Sequence, residues 1–172
     1  MYYVEVFAAM YQEGIRYLIV GGMALNIYGI PRMTSDLDLM IDLEEENIKK
    51  LVFTLKKLGY TPRAPVQMEE LIDKEKRKKW HKEKNMIMFT FYNKEQPYKE
   101  IDIFLINPID FKHLYQNKRV IPFEDIEIYL PSLEGLINLK KKAGRSQDIC
   151  DIEALVKLQE ILVEEELYNG KI

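Results

Sequence analysis

Two pairs of acids alternate with apolar residues in this sequence, Asp36-Leu37-Asp38-Leu39 and Glu100-Ile101-Asp102-Ile103. On a β-strand, residues i and i+2 share a face, so Asp36 and Asp38 project together while the leucines turn to the core. Carboxylates that close repel and raise one another's pKa unless a cation lies between them. Hard oxygen ligands at that spacing suit Mg2+ or Mn2+. The same alternation also describes a half-exposed strand whose acids face water. If the second acidic strand neighbours the first, Asp102 completes a three-carboxylate set of the kind that holds two metal ions for phosphoryl transfer. Upstream, Gly21-Gly22 follows an apolar strand and opens a helix-competent stretch. Backbone without a Cβ approaches a ligand closely, and a helix start offers unpaired N–H groups to a phosphate. Gly-Gly between strand and helix is by itself an ordinary turn. What counts is the conjunction: a phosphate-friendly turn, two acids shortly downstream and a third acid on a later strand.

Positioning these groups requires a sheet, and the hydrophobic periodicity supplies one. Strands are expected over Arg16–Val20, Asp36–Asp42, Met86–Tyr92, Lys99–Ile106, Val120–Phe123 and Ile126–Leu130. Helical spacing marks residues 2–13, Met23–Gly29 (stopped by Pro31) and Glu44–Leu58, with a short helix over Ile109–Gln116. The polar segment Met68–Lys84 reads as surface helix and loop. Two helices close the chain, Ser132–Ala143 and Gln147 to about Leu167, separated by Gly144-Arg145-Ser146. Strands and helices mix without regular alternation, so the expected class is α/β (α+β). It has a central mixed β-sheet flanked by helices, with a C-terminal helical pair packed on it. No linker or repeat divides the chain, and residues 1–172 are expected to form a single domain.

Composition sets the limits. The chain has 172 residues, 47 % hydrophobic and 31 % charged, with a net charge of −3, so any nucleic-acid contact needs a local basic patch. One such run exists, KEKRKKWHKEK from Lys74 to Lys84, with seven Lys or Arg against two Glu. With Trp80 and His81 embedded, it suits a nucleic-acid backbone and a stacked base, or else a solvated helix face. The lone Cys150 excludes an internal disulfide and is expected on the buried stripe of its helix. Two histidines, His81 and His113, are too few for a tetrahedral zinc site beside one cysteine. The N-terminus lacks signal-peptide features and no apolar run reaches membrane-span length, so a soluble, cytoplasmic protein without a membrane partner is expected.

The stretch LIVGGMALNIYGIPRMTSDLDLMID resembles the signature of the nucleotidyltransferase superfamily that includes DNA polymerase beta: an apolar strand, Gly-Gly or Gly-Ser, a spacer, then D-x-D. The segment LPSLEGLINLKKKAGRSQDICDIEAL resembles the C-terminal motif of the minimal, AbiEii-like branch, in which a lysine-bearing helix is followed by an arginine and D-x-x-D. The resemblance runs from about Tyr17 to Leu155. It implies that Gly21 and Gly22 cradle the phosphates of a nucleoside triphosphate (NTP), and that Asp36, Asp38 and Asp102 hold two Mg2+ (or Mn2+) ions. It also implies that Lys140 and Arg145 contact the triphosphate and that Asp148 and Asp151 belong to the same motif. Gly22 stands where many relatives carry serine, which leaves backbone N–H groups and Thr34 or Ser35 to hold the phosphate. The implied reaction is metal-dependent transfer of a nucleoside monophosphate from an NTP to an acceptor hydroxyl, with release of pyrophosphate. The acceptor is a tRNA or other RNA end, a protein or a small molecule. The competing expectation is an antitoxin-like or regulatory partner of a toxin–antitoxin pair with a vestigial nucleotide site; a third is a metal-dependent phosphohydrolase or nuclease using the same acids.

Overall fold

The computed structural model describes residues 3–169, with side chains over 3–165; the expected helix start at Tyr2 lies outside the described residues. Along the chain come α1 (Val4–Gln12), β1 (Tyr17–Ile19), α2 (Gly21–Ile27), β2 (Leu37–Ile41), α3 (Glu45–Lys57) and β3 (Tyr60–Pro62). A 3-10 turn (Met68–Ile72) leads into α4 (Lys74–Lys84), β4 (Met88–Asn93), β5 (Glu100–Phe104) and α5 (Phe111–Gln116). The chain ends with β6 (Arg119–Phe123), β7 (Ile126–Leu130), α6 (Leu133–Ala143) and α7 (Ser146–Asn169). The expected elements are present with boundaries shifted by a few residues. The shift that bears on the site is in α2, which starts at Gly21 itself rather than after the glycines.

Five strands form one mixed sheet in the order β1-β2-β5-β4-β3, and β6 and β7 form a separate antiparallel hairpin. Only β2 and β5 run parallel; the other pairings are antiparallel. Parallel neighbours need a long crossover, and here it comprises α3, β3, the 3-10 turn, α4 and β4. This topology brings two acid-bearing strands, more than sixty residues apart in sequence, side by side in the middle of the sheet.

The period of two then sorts the side chains. Leu37, Leu39 and Ile41 of β2, Ile101 and Ile103 of β5, and Phe89 and Phe91 of β4 all enter the main core, which α1 and α3 also fill. The opposite face holds a smaller cluster of Leu18, Val20, Met40, Phe111, Leu114 and Leu139, with Phe104 against it. Thus α5 and α6 cover that second face at the Met40–Phe104 end of the strands. The acids occupy the other end of the same face.

Two expectations are corrected here. Cys150 is exposed, because the inner stripe of α7 is set by Asp148, Asp151 and Leu155, and Cys150 lies off it. The basic helix α4 is not wholly a surface element. Arg77 and Trp80 are buried, Trp80 stacks on the core residue Phe89 at 5.5 Å, and Arg77 donates to the carbonyls of Leu71 and Ile72. Trp80 therefore anchors α4 to the main-core side of the sheet and presents no face to a nucleic-acid base. Its exposed lysines are partly engaged with acids, as in Lys76–Glu70 and Lys78–Glu75.

Candidate active site

Asp38 and Asp102 are direct partners in the parallel register of β2 and β5, and Asp36 precedes β2 by one residue. All three follow the period that points away from the main core. Burial pushes Asp38 up to about 6, and the charges of Asp102 and then Asp36 add to the shift, while Arg145 and Lys140 oppose it. Asp102 is also raised, first by burial, although a hydrogen bond from Thr90 works the other way. Each outer acid is steered by a neighbouring hydroxyl. Ser35 Oγ donates to Asp36 Oδ1 at 2.6 Å, and Thr90 Oγ1, directly across the ladder, donates to Asp102 Oδ1. Among the described residues no three His, Cys, Asp or Glu side chains stand, as placed, in an arrangement that could hold a metal ion. The triad is an open, mutually repelling arc. That donor set fits hard divalent cations that leave coordination positions to water and substrate phosphate.

The glycine turn is built against this arc. Gly21 has φ of +63°, and a Cβ placed on it would lie 2.8 Å from Asp38 Cβ and overlap the carboxylate. Glycine suits both that backbone and so close an approach to the Asp38 carboxylate. At Gly22 a Cβ would come within 2.9 Å of Thr34 Cβ and 3.1 Å of its hydroxyl oxygen. Thr34 thus fills the space a side chain at position 22 would take. Ser35, the other residue expected to face phosphate, is turned instead to Asp36. The loop carrying both is braced by reciprocal bonds between the Asn26 side chain and the Arg32 backbone, at 2.8 and 2.6 Å, and by an Arg32–Asp151 ion pair at 3.2 Å.

That last contact joins the C-terminal motif to the site. Lys140 Nζ lies 3.2 Å from Asp148 and 2.7 Å from Asp151, with all three side chains at most 9 % exposed. Burial alone would raise Asp148, but hydrogen bonds from Arg145 and Lys140 outweigh it and hold its pKa below the usual carboxylate range. Lys140, expected to reach the triphosphate, is thus enclosed by two carboxylates that tie α6 to α7. Arg145 differs. It pairs with Asp148 at 3.1 Å, yet its side chain stays 68 % exposed and is close enough to Asp38 for each to shift the other's pKa. Of the two basic residues, Arg145 is the one left exposed.

Several residues at the site carried no sequence signal. Thr90 becomes visible only through its register with Asp102, and Arg63, bonded to Glu100 and lying over the Tyr92 ring at 5.1 Å, only through the β3–β4–β5 pairing. Tyr3 is buried near the acids, its phenol pushed up by burial first, then by Tyr60, Asp36, Asp102 and Asp38. An open cleft of about 1190 Å³, lined by Asp42, Arg77, Asn107 and Phe111 among others, lies by the C-terminal ends of β2 and β5 and contains none of the three acids.

A mixed sheet carrying an acid triad beside a Gly-Gly turn defines a nucleotidyltransferase fold, and known structures agree. The lincomycin-bound lincosamide antibiotic adenylyltransferase LnuA matches with a TM-score of 0.55 at 16 % identity, over 91 % of this chain and 94 % of that one. ANT(2″)-Ia in complex with adenylyl-2″-tobramycin matches with a TM-score of 0.55 at 12 % identity, over 97 % and 94 %. No curated protein sequence gives a significant match. Residues 8–171 match the family described as nucleotidyl transferase AbiEii toxin, type IV TA system, and the chain belongs to that nucleotidyltransferase family. No helix among the described residues is long and apolar enough to cross a membrane.

Proposed function

We propose that this protein transfers a nucleoside monophosphate from an NTP to an acceptor hydroxyl and does so only with divalent metal bound. The observation that carries the reading is the in-register placement of Asp38 and Asp102 on parallel β2 and β5, with Asp38 raised to about 6. Two neighbouring, partly buried carboxylates with so little opposing charge make sense where a cation and a polyphosphate complete the site. Asp36, Asp38 and Asp102 would hold two Mg2+ or Mn2+ ions, which supply charge neutralisation for the triphosphate and the leaving pyrophosphate. The chain's own residues do the rest by positioning. The backbone of Gly21 and Gly22 approaches the phosphates, with the Thr34 hydroxyl over the turn and Ser35 setting the orientation of Asp36. Arg145 meets phosphate charge, and Lys140 acts indirectly by holding Asp148, and through it Arg145. The acceptor oxygen attacks the α-phosphorus, the bond to the β-phosphate oxygen breaks, and pyrophosphate leaves. Asp102, on the strand paired with that of Asp38, is placed to take the hydroxyl proton.

LnuA and ANT(2″)-Ia are described with antibiotics, lincomycin and adenylyl-2″-tobramycin. They support a small-molecule hydroxyl as one acceptor class, beside an RNA end or a protein; fold does not choose among them. The burial of Trp80 weakens α4 as the place where RNA would dock. Incubation with Mg2+, cell extract and NTP labelled at either the α- or the γ-phosphate tests the proposal. Label from the α position is expected on an acceptor, and γ label is expected in pyrophosphate. Inorganic phosphate as the γ-labelled product would favour a phosphohydrolase. No turnover of any NTP, with nucleotide still bound, would favour an antitoxin-like or regulatory partner.

A further inference from the structure

The paired backbone of β2 and β5 ends at Leu37–Ile101, one residue short of Asp36 and just after Glu100. Beyond that rung the segments separate, although Asp36 and Asp102 must keep a fixed spacing if they are to share a metal site. One side chain spans the gap. The hydroxyl of Tyr3, at the N-terminal cap of α1, lies 2.7 Å from the carbonyl of Ser35 and 2.8 Å from that of Glu100, and it accepts the Glu100 N–H at 3.1 Å. The ring is fully buried in the main core. Its single hydroxyl proton is shared between two carbonyls, while its oxygen satisfies the N–H that the ladder no longer reaches.

From this geometry we infer that Tyr3 is a positioning residue for the metal-binding acids, acting as a surrogate rung that fixes the Asp36 segment against the Asp102 strand. The inference rests on the proposed metal-dependent reaction. It gives α1 a role beyond packing: its N-terminal cap residue clamps the acid-bearing segments where their ladder stops on the Asp36 side. Groups that orient metal ligands without touching the metal typically change affinity or activity by about 10- to 100-fold.

The test compares Tyr3→Phe, which keeps the ring and removes only the hydroxyl, with Val6→Ala, a buried substitution on the same helix. Mn2+ binding to each is measured by calorimetry or paramagnetic titration at a temperature well below both melting points. For Tyr3→Phe, Mn2+ affinity is expected to fall about tenfold, with kcat falling and recovering partly at high metal. For Val6→Ala the melting temperature is expected to drop while Mn2+ affinity stays at the wild-type value. Wild-type Mn2+ affinity in Tyr3→Phe would overturn the inference and leave the proposed function standing, and so would an equal loss in Val6→Ala. Absence of Mn2+ binding by the wild-type protein would instead remove the metal-dependent reading, and this inference with it.

Discussion

At about pH 7.5 without metal, Asp38→Asn is expected to melt about 5–10 °C above the wild-type protein. Its nucleotidyl transfer is expected to fall by at least about two orders of magnitude, the loss typical when transition-state charge stabilisation is removed. The two halves share one cause. Burial, Asp102 and Asp36 raise the Asp38 carboxyl from 3.8 to about 6 in the folded protein. A raised folded-state pKa means the native state prefers the proton. The associated stability is fully present below 3.8 and is lost as the pH rises through about 6. At pH 7.5 the ionised carboxylate therefore costs about 3 kcal/mol relative to the protonated one. Asparagine removes that cost together with the metal ligand. The stability gap is expected to shrink as the pH is lowered toward 4, and thermal melts across that window check it. An Asp38→Asn protein that melts below wild type at neutral pH would mean the carboxylate is held by favourable partners rather than stranded.

The second large effect runs the other way. Lys140→Ala removes the cation enclosed by Asp148 and Asp151, and two carboxylates at 2 % and 9 % exposure keep only their outer partners, Arg145 and Arg32. Breaking a buried ion network by deleting one member destabilises by about 3–5 kcal/mol, or about 10 °C in melting temperature for a chain of this size. The sign of the pH dependence is opposite to that of Asp38. Asp148 is depressed in the folded state, so its stabilisation is present at neutral pH and fades as the pH falls through its folded pKa. The deficit of Lys140→Ala is expected to narrow in acid and to be partly relieved when Asp151→Asn is added. A direct triphosphate contact by Lys140 predicts the reverse pattern, with NTP binding lost and the melting temperature near wild type.

The acid pairs and the glycine turn were legible in the sequence because their signals are local. Period-two alternation placed Asp36, Asp38 and Asp102 on the face of their strands turned away from the main core, and the register of β2 with β5 brought them together. Which acids pair with which cations was not legible, since Lys140 meets Asp148 and Asp151 only through the angle between α6 and α7. Trp80 misled for a related reason. Surrounded by lysines in sequence, it still lies on the one side of α4 that faces Phe89, and composition does not report which side that is. Cys150 shows the same weakness, because the buried stripe of α7 is set by two aspartates that an apolar pattern does not count. Tyr3 and Thr90 act through hydrogen bonds across the fold and leave no spacing to read.

The most direct measurement is Mn2+ titration followed by electron paramagnetic resonance, with a non-hydrolysable NTP analogue present. If Asp36, Asp38 and Asp102 form the catalytic metal site, two ions about 3.5–4 Å apart are expected to bind and to show spin coupling. Asp102→Asn is expected to abolish the coupling. Mn2+ that stays on the nucleotide alone, with the same spectrum for wild type and Asp102→Asn, would contradict the account.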